Sequence, residues 1–370
     1  MLRLQSPLPE DYTSAPMSEL ERRVAVGKSR LADRLMILGH HYQRDEVMQF
    51  ADARGDSLAL SRTAAGRRDA EYIVFCGVHF MAEAADILTA DDQSVILPDL
   101  NAGCSMADMA DIENVEEAWD ELGSVVDTSR VMPITYINSS AALKAFVGRH
   151  GGSVCTSSNA GAVMRWALGM DGTRPRADRL LFVPDQHLGR NTSFELGLDA
   201  RSVRLWDPAQ QMGGLDDVEV KEATVLLWKG HCSVHQRFTS AQVLRFREDH
   251  PEGMVVVHPE CDRSVVEVAD SAGSTDFIIR TVREAAPGSV IAVGTEVHLV
   301  NRLANEHPDR TVLSLDPIVC ACSTMFRIDL PHLCWVLDGL AEGQVRNRIQ
   351  VDPETAGWAR VALDRMLQIS

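Results

Sequence analysis

The chain has 370 residues, more than a single hydrophobic core usually supports, so two or three compact units are expected. With 45 % hydrophobic and 24 % charged residues, its composition is that of a folded globule rather than a disordered chain. The formal net charge of −17, with no basic cluster, argues against a nucleic-acid partner, although local N–H groups can still hold a small anion against that field.

The first stretch, MLRLQSPLPEDYTSAPMSELERR, carries no apolar secretory signal. No later segment offers the roughly 18 uncharged apolar residues of a membrane span, so the expected location is cytoplasmic, with no membrane contact. Ser18 followed by Glu21 reads as a capping box that opens a helix through SELERRVAVGKSRLADRL. From there, short apolar runs alternate with helical periodicity: LMILGHHY, EYIVFCG, SVILPDL, VMPITYIN, GSVCTSS, LLFVPDQ, TVLLWKG, MVVVHPE, SVIAVGTE and TVLSLDP. Runs of this kind are what parallel strands buried on both faces look like, so the fold class is α/β. About ten strands would strain one open sheet, and three smaller sheets suit the length better. Seams are expected near DELGSVVDTSR and KGHCSVHQRFTS. The strand–turn–helix plan repeats, with no letter-for-letter repeat.

Ligands of open α/β sheets gather outside the carboxyl ends of the strands. The residues closing these runs are His40, Tyr42, Asn138, Ser157, Asp185, His258, Glu260, Thr295 and Glu296, all of types that bind or transfer protons. Asp56, Ser57, Ser157, Ser274 and Thr275 sit where helices begin. There they serve either as ordinary N-caps or, with the N–H groups around them, as anion holders.

In a reducing compartment the eight cysteines are expected to be thiols. Cys104, Cys232 and the pair Cys320 and Cys322 follow strands into loops, whereas Cys76, Cys155, Cys261 and Cys334 lie in or beside apolar runs. A thiol often packs as a small hydrophobe. Zinc is less suited here, because the chain has no C-x2-C pair. Three thiolates from three loops suit an iron–sulfur cluster, whose unligated iron can act as a Lewis acid.

The strings LGHHYQRDEVMQFADARGDSLALSR, ILPDLNAGCSMADM, TYINSSAALKA, VCTSSNAGAVMRWAL, FVPDQHLGRNT, WKGHCSVHQRF, VVHPECDRSVVEVADSAGST, GTEVHLVNRL and MFRIDLPHLCWVL closely resemble the quinolinate synthase family of NAD biosynthesis, in order and over most of the chain. That resemblance implies three similar three-layer α/β/α domains with small parallel sheets around a pseudo-threefold centre. The domains are expected at 28–125, 126–234 and 235–325, with C-terminal helices over 326–370 packing back on the body. It also implies a four-iron four-sulfur cluster held by Cys104, Cys232 and Cys320. The resemblance also implies a cysteine followed five residues later by a methionine, which matches Cys320 and Met325 and favours Cys320 over its neighbour Cys322.

The implied reaction condenses iminoaspartate with dihydroxyacetone phosphate, losing phosphate and water to give quinolinate, with an aspartate oxidase as the functional link that supplies iminoaspartate. By resemblance, His40, Tyr42, His258 and Glu260 carry the chemistry. His40, Ser57, Tyr136, Asn138, Ser157, His258, Glu260 and Thr275 would bind substrate, while Asp56 and Glu296 stay unassigned. For Tyr136 and Asn138 the competing reading is a packed strand tyrosine and a cap for the next helix. Two rival functions share the thiol pattern: an iron–sulfur hydro-lyase acting on another hydroxy acid, and a cluster-based redox sensor.

Overall fold

The computed structural model describes residues 5, 7–172, 174–318 and 321–369. Among them run fourteen strands: β1 Leu35–His40, β2 Ala53–Gly55, β3 Tyr72–Cys76, β4 Ser94–Ile96, β5 Val131–Tyr136, β6 Ser153–Cys155, β7 Arg179–Val183, β8 Val203–Trp206, β9 Val225–Trp228, β10 Met254–Val257, β11 Ser271–Ala272, β12 Val290–Gly294, β13 Thr311–Ser314 and β14 Arg348–Ile349. They form three small sheets, in the orders β14-β4-β3-β1-β2, β6-β5-β7-β9-β8 and β11-β10-β12-β13. All pairings are parallel except β14 with β4. The fold is therefore the expected α/β class, with three parallel-dominated sheets and helices between the strands.

All ten apolar runs are strands. The four strands that carry no such run, β2, β8, β11 and β14, each lie at a sheet edge. An edge strand has a neighbour on one side only, so it needs no continuous apolar stretch. Ala53–Gly55 and Ser271–Ala272 show how little sequence signal that leaves.

With β14 and β8 set aside, the three sheets share one four-strand order. Going across each sheet, the second strand is followed by the first, the third and the last: β2-β1-β3-β4, β6-β5-β7-β9 and β11-β10-β12-β13. Central strands such as Leu35–His40 and Tyr72–Cys76 are buried along their whole length, as two-sided coverage demands.

The chain divides into two compact units. One comprises Met1–Cys104, Val297–Arg302 and Ala321–Asp352; the other comprises Ser105–Glu296, Leu303–Cys320 and Pro353–Ser370. In the first, the helix Leu330–Ala341 packs on Met17–Leu31. In the second, Pro353–Gln368 packs on Ala141–Arg149.

The first long helix corrects the capping-box expectation. It opens at Met17 behind Pro16, with no side-chain cap, so Ser18 is already inside the first turn. Pro16 at φ −59° has no N–H to satisfy and ends the preceding segment by itself. The helix stops at Leu31, because Ala32 turns to φ 46°.

Candidate active site

Strand register gathers the predicted groups in three equivalent places. His40 closes β1 opposite Gly55, and Ser57 follows Gly55 by two residues. Tyr136 closes β5 opposite Cys155, with Asn138 and Ser157 each two residues further on. Val257 ends β10 opposite Ala272, so His258 is the next residue and Thr275 lies three beyond the partner. In each sheet the first strand delivers a ring or amide, and its edge neighbour delivers a hydroxyl at a helix start or in the loop just before one. Asp56 and Ser274 prove to be the caps, accepting the N–H groups of Ala59 and Phe277. Ser57 and Thr275 are the first residues of their helices, where N–H groups lack intrahelical acceptors. Asn159 stands at the N-cap position of the third helix, leaving Ser157 outside it.

The second unit holds a buried cluster of titratable side chains. The Glu260 carboxylate Oε2 lies 2.5 Å from His235 Nδ1 and 3.7 Å from His258 Nδ1, with all three residues at most 3 % exposed. The two imidazoles stack at 4.5 Å between centroids and 18° between planes. His235 Nε2 meets the Thr295 hydroxyl at 3.1 Å, and the Tyr136 hydroxyl donates to Glu260. Burial alone would raise the Glu260 carboxyl, but His235 and then His258 outweigh it and hold the group ionised, below the usual range. Burial pushes the His258 imidazole down to about 3, with His235 adding to the effect and Glu260 opposing it. Its Nδ1 accepts the Glu260 N–H at 3.4 Å, so the proton of the neutral ring sits on Nε2.

Asp185, wholly buried at the end of β7, is raised well above the usual carboxyl range by burial and then by the charge of Glu260. The N–H groups of Leu188, His187 and Cys232 oppose that rise, and the Leu188 N–H donates to Oδ1 at 2.6 Å. A glycine is needed at Gly230, since a Cβ there would stand 2.4 Å from the Pro184 carbonyl oxygen. Asn138 Oδ1 is buried without a hydrogen-bond partner, while Ser140 caps the following helix. The capping alternative for Asn138 is thereby excluded, and an acceptor is left for a ligand. Ser157 lines a cavity of about 630 Å³ with Asn191, Pro259 and Ser274, flanked by Arg165, Arg263 and Arg280.

In the first unit the β1 turn repeats the β10 turn. His40, 4 % exposed, accepts the Tyr42 N–H on Nδ1 at 3.2 Å, as His258 accepts that of Glu260. The His40 and Tyr42 rings meet edge to face at 4.8 Å. His41 is half-buried beside them.

The cysteines sort by environment. Cys76, Cys155, Cys261 and Cys334 are buried, and burial raises every one of these thiols, Cys76 and Cys334 to about 12. Such thiols are poor ligands. Cys104, Cys232 and Cys322 are half-exposed.

All three open the same local structure. The strings are CSMADMAD, CSVHQRFT and CSTMFRID. Each has a single 3-10 turn starting three residues after the cysteine (Ala107–Met109, His235–Arg237, Met325–Arg327) and an N-cap seven residues after it (Asp111, Thr239, Asp329). Two of these turns are braced by an acid: Arg237 pairs with Asp316 at 3.0 Å and Arg327 with Asp99 at 2.8 Å. In the remaining turn the Met109 carbonyl accepts the Trp228 indole N–H at 2.7 Å. Cys320, the expected third ligand, lies outside the described residues.

Tyr136, Asn138, Ser157, His258, Glu260, Thr275 and Cys232 belong to the second unit, and His40, Tyr42, Ser57 and Cys104 to the first. Glu296 is fully buried at the end of β12. The sequence reading missed His235. Its signal was the C-x2-H spacing from Cys232, and the ligand atoms of Cys232, His235 and Glu260 lie within 4.8 Å of one another. The repeated cysteine turn also went unread, because apart from the Ser after each cysteine no position between cysteine and cap is the same in all three copies.

Parallel α/β sheets whose strand ends carry a carboxylate between two histidines, next to a half-exposed thiol, define an enzyme equipped for acid–base chemistry beside a soft-metal ligand. Comparison with known proteins gives a more particular result. The family model described as Quinolinate synthetase A protein matches residues 24–368. A protein of Herpetosiphon aurantiacus named quinolinate synthase is 55 % identical over 364 residues, 98 % of this chain and 95 % of its own length. Proteins of the same name from Corynebacterium glutamicum and Geobacillus kaustophilus are 53 % and 54 % identical; they cover 99 % and 98 % of this chain and 91 % and 97 % of their own lengths. The chain belongs to the quinolinate synthetase A protein family.

Proposed function

We propose that the chain acts as a quinolinate synthase of NAD biosynthesis, condensing iminoaspartate with dihydroxyacetone phosphate and releasing phosphate and water. The observation that carries this reading is the buried Glu260 carboxylate held by His235, His258 and Tyr136 beside Cys232. Condensation, enolisation and dehydration each need a proton taken or given, and an ionised carboxylate beside a neutral imidazole can do both. Glu260 is the base; His258 presents its Nε2 proton to a developing oxygen charge. Tyr42 and His40 form the second proton-handling pair. Asn138 and Tyr136 orient substrate oxygens; Ser57 and Thr275 take the carboxylates and phosphate with the N–H groups of their helix starts, and Ser157 adds its hydroxyl from the loop before Asn159.

The donor set fits a four-iron four-sulfur cluster. Four buried thiols are disfavoured as ligands, and the half-exposed ones sit in one repeated turn. Cys104 and Cys232 take two positions. The third belongs to the Cys320 and Cys322 pair, and the repeated turn favours Cys322 over the Cys320 of our sequence expectation. When bound, such a cluster supplies a Lewis acid for loss of a hydroxyl.

We read 28–125, 126–234 and 235–325 as three copies of the four-strand plan, with 326–370 returning to them. A cytoplasmic aspartate-oxidising enzyme would supply iminoaspartate. The test is a quinolinate assay with both substrates under anaerobic conditions. Dehydration of hydroxy acids without quinolinate formation would favour the hydro-lyase instead.

A further inference from the structure

We propose that Arg302 and Asn191 are positioning residues that fix the backbone on either side of Tyr42 and Glu260. Arg302 is 6 % exposed and donates from Nη1 to the His41 carbonyl at 2.9 Å and from Nη2 to the Gln43 carbonyl at 2.5 Å. Those carbonyls flank Tyr42. Asn191, 7 % exposed, donates from Nδ2 to the carbonyls of Pro259 and Cys261, both at 2.9 Å, and these flank Glu260.

Carbonyls just past a strand end have left the sheet ladder and need another donor when buried. Here the donor is one side chain gripping two peptides, and the residue between them is in each case the group to which proton transfer is assigned. Holding both neighbouring peptides restricts rotation about the Cα of Tyr42 or Glu260, and so fixes the direction in which each side chain leaves the backbone. Neither clamp uses the reacting group itself. A device of the same kind, with a single bond, is the fully buried Lys144, whose Nζ donates to the Ser139 carbonyl next to Asn138.

Arg302 Nε also meets Asp45 Oδ1 at 2.6 Å, but that carboxylate is 59 % exposed and screened, so the carbonyl grip is the part that matters for the turn. Misplacing a reacting group by about 1 Å can cost on the order of 100-fold in rate.

The inference rests on the proposed activity, and its test separates the two. Arg302→Met and Asn191→Asp, purified anaerobically, should keep wild-type iron per chain. Their kcat should drop by about 30- to 100-fold while KM stays within about threefold. Arg302→Lys, able to reach one carbonyl, should recover part of the loss and lie about 3- to 30-fold below wild type. Asp45→Asn should stay within about threefold. Wild-type kcat in Arg302→Met or Asn191→Asp would overturn the proposal, as would Asp45→Asn falling as far as Arg302→Met. If Arg302→Met does not fold, Arg302→Lys decides: wild-type kcat there overturns the proposal. Tyr42→Phe and Glu260→Gln run alongside. Inactive Tyr42→Phe and Glu260→Gln with normal clamp variants defeat the positioning role alone, whereas active Tyr42→Phe and Glu260→Gln defeat the proposed function beneath it.

Discussion

His235 Nδ1 stands 2.5 Å from Glu260 Oε2, across 25 residues of chain, and both side chains are almost fully buried. A buried carboxylate this close to an imidazole is kept charged by its partner, and removing either one leaves the other uncompensated. Glu260→Gln should therefore retain the cluster absorption of the wild type and lose at least about 100-fold in kcat. His235→Gln should lose turnover too. Steady-state quinolinate assays on iron-matched samples check both.

The neighbouring cysteines make a sharper test. Because Cys322 opens the same turn as Cys104 and Cys232, Cys322→Ala should purify with little or no iron, while Cys320→Ala should keep its cluster and most of its activity. Iron and sulfide analysis of the two variants, prepared anaerobically, decides the matter. The reverse pattern would return the third position to Cys320.

Asn138 carries a buried Oδ1 with no hydrogen-bond partner, so deleting it removes no intramolecular bond at that atom. Asn138→Ala should lower kcat/KM by at least about tenfold, with the thermal midpoint within about 2 °C of wild type, the behaviour of a group that binds ligand rather than fold. Calorimetry and kinetics on one preparation separate the two effects.

His258 gives the fold a defined acid sensitivity. Its pKa in the folded protein is pushed down to about 3, against about 6.5 unfolded, so between these values the unfolded chain binds more protons. Stability contributed by this group is full above pH 6.5. It falls as pH drops toward 3, at up to about 1.4 kcal/mol per pH unit. Denaturant unfolding of the wild type and of His258→Gln over pH 7 to 4 should show the shallower slope in the variant.

Much of this was legible in the sequence for a physical reason. Central parallel strands must be apolar on both faces, so the eight runs at interior sheet positions could be read; β6 and β13 lie at edges but carry apolar runs as well, and the polar residues ending the runs could be placed at the carboxyl edge. The short edge strands such as Ala53–Gly55 could not, because their partners rather than their composition make them strands. Asp56 and Ser57 show the limit at helix starts: sequence places both there, but only coordinates show that Asp56 spends its carboxylate on the Ala59 N–H. His235 had only the C-x2-H spacing from Cys232 as a signal, since its importance comes from Glu260, a partner reached only by folding. The start of the first long helix was misread because Ser18 and Glu21 match a capping box that Pro16 makes unnecessary.

On the proposed function, proton-transfer groups and a thiolate-held cluster in this chain together make quinolinate. The direct measurement is anaerobic iron and sulfide analysis paired with quinolinate formation from iminoaspartate and dihydroxyacetone phosphate, on one sample of the full chain. About four iron and four sulfide per chain are expected, with turnover that rises and falls with cluster content. Quinolinate made at full rate by iron-free protein, or none made by fully loaded protein, would contradict it.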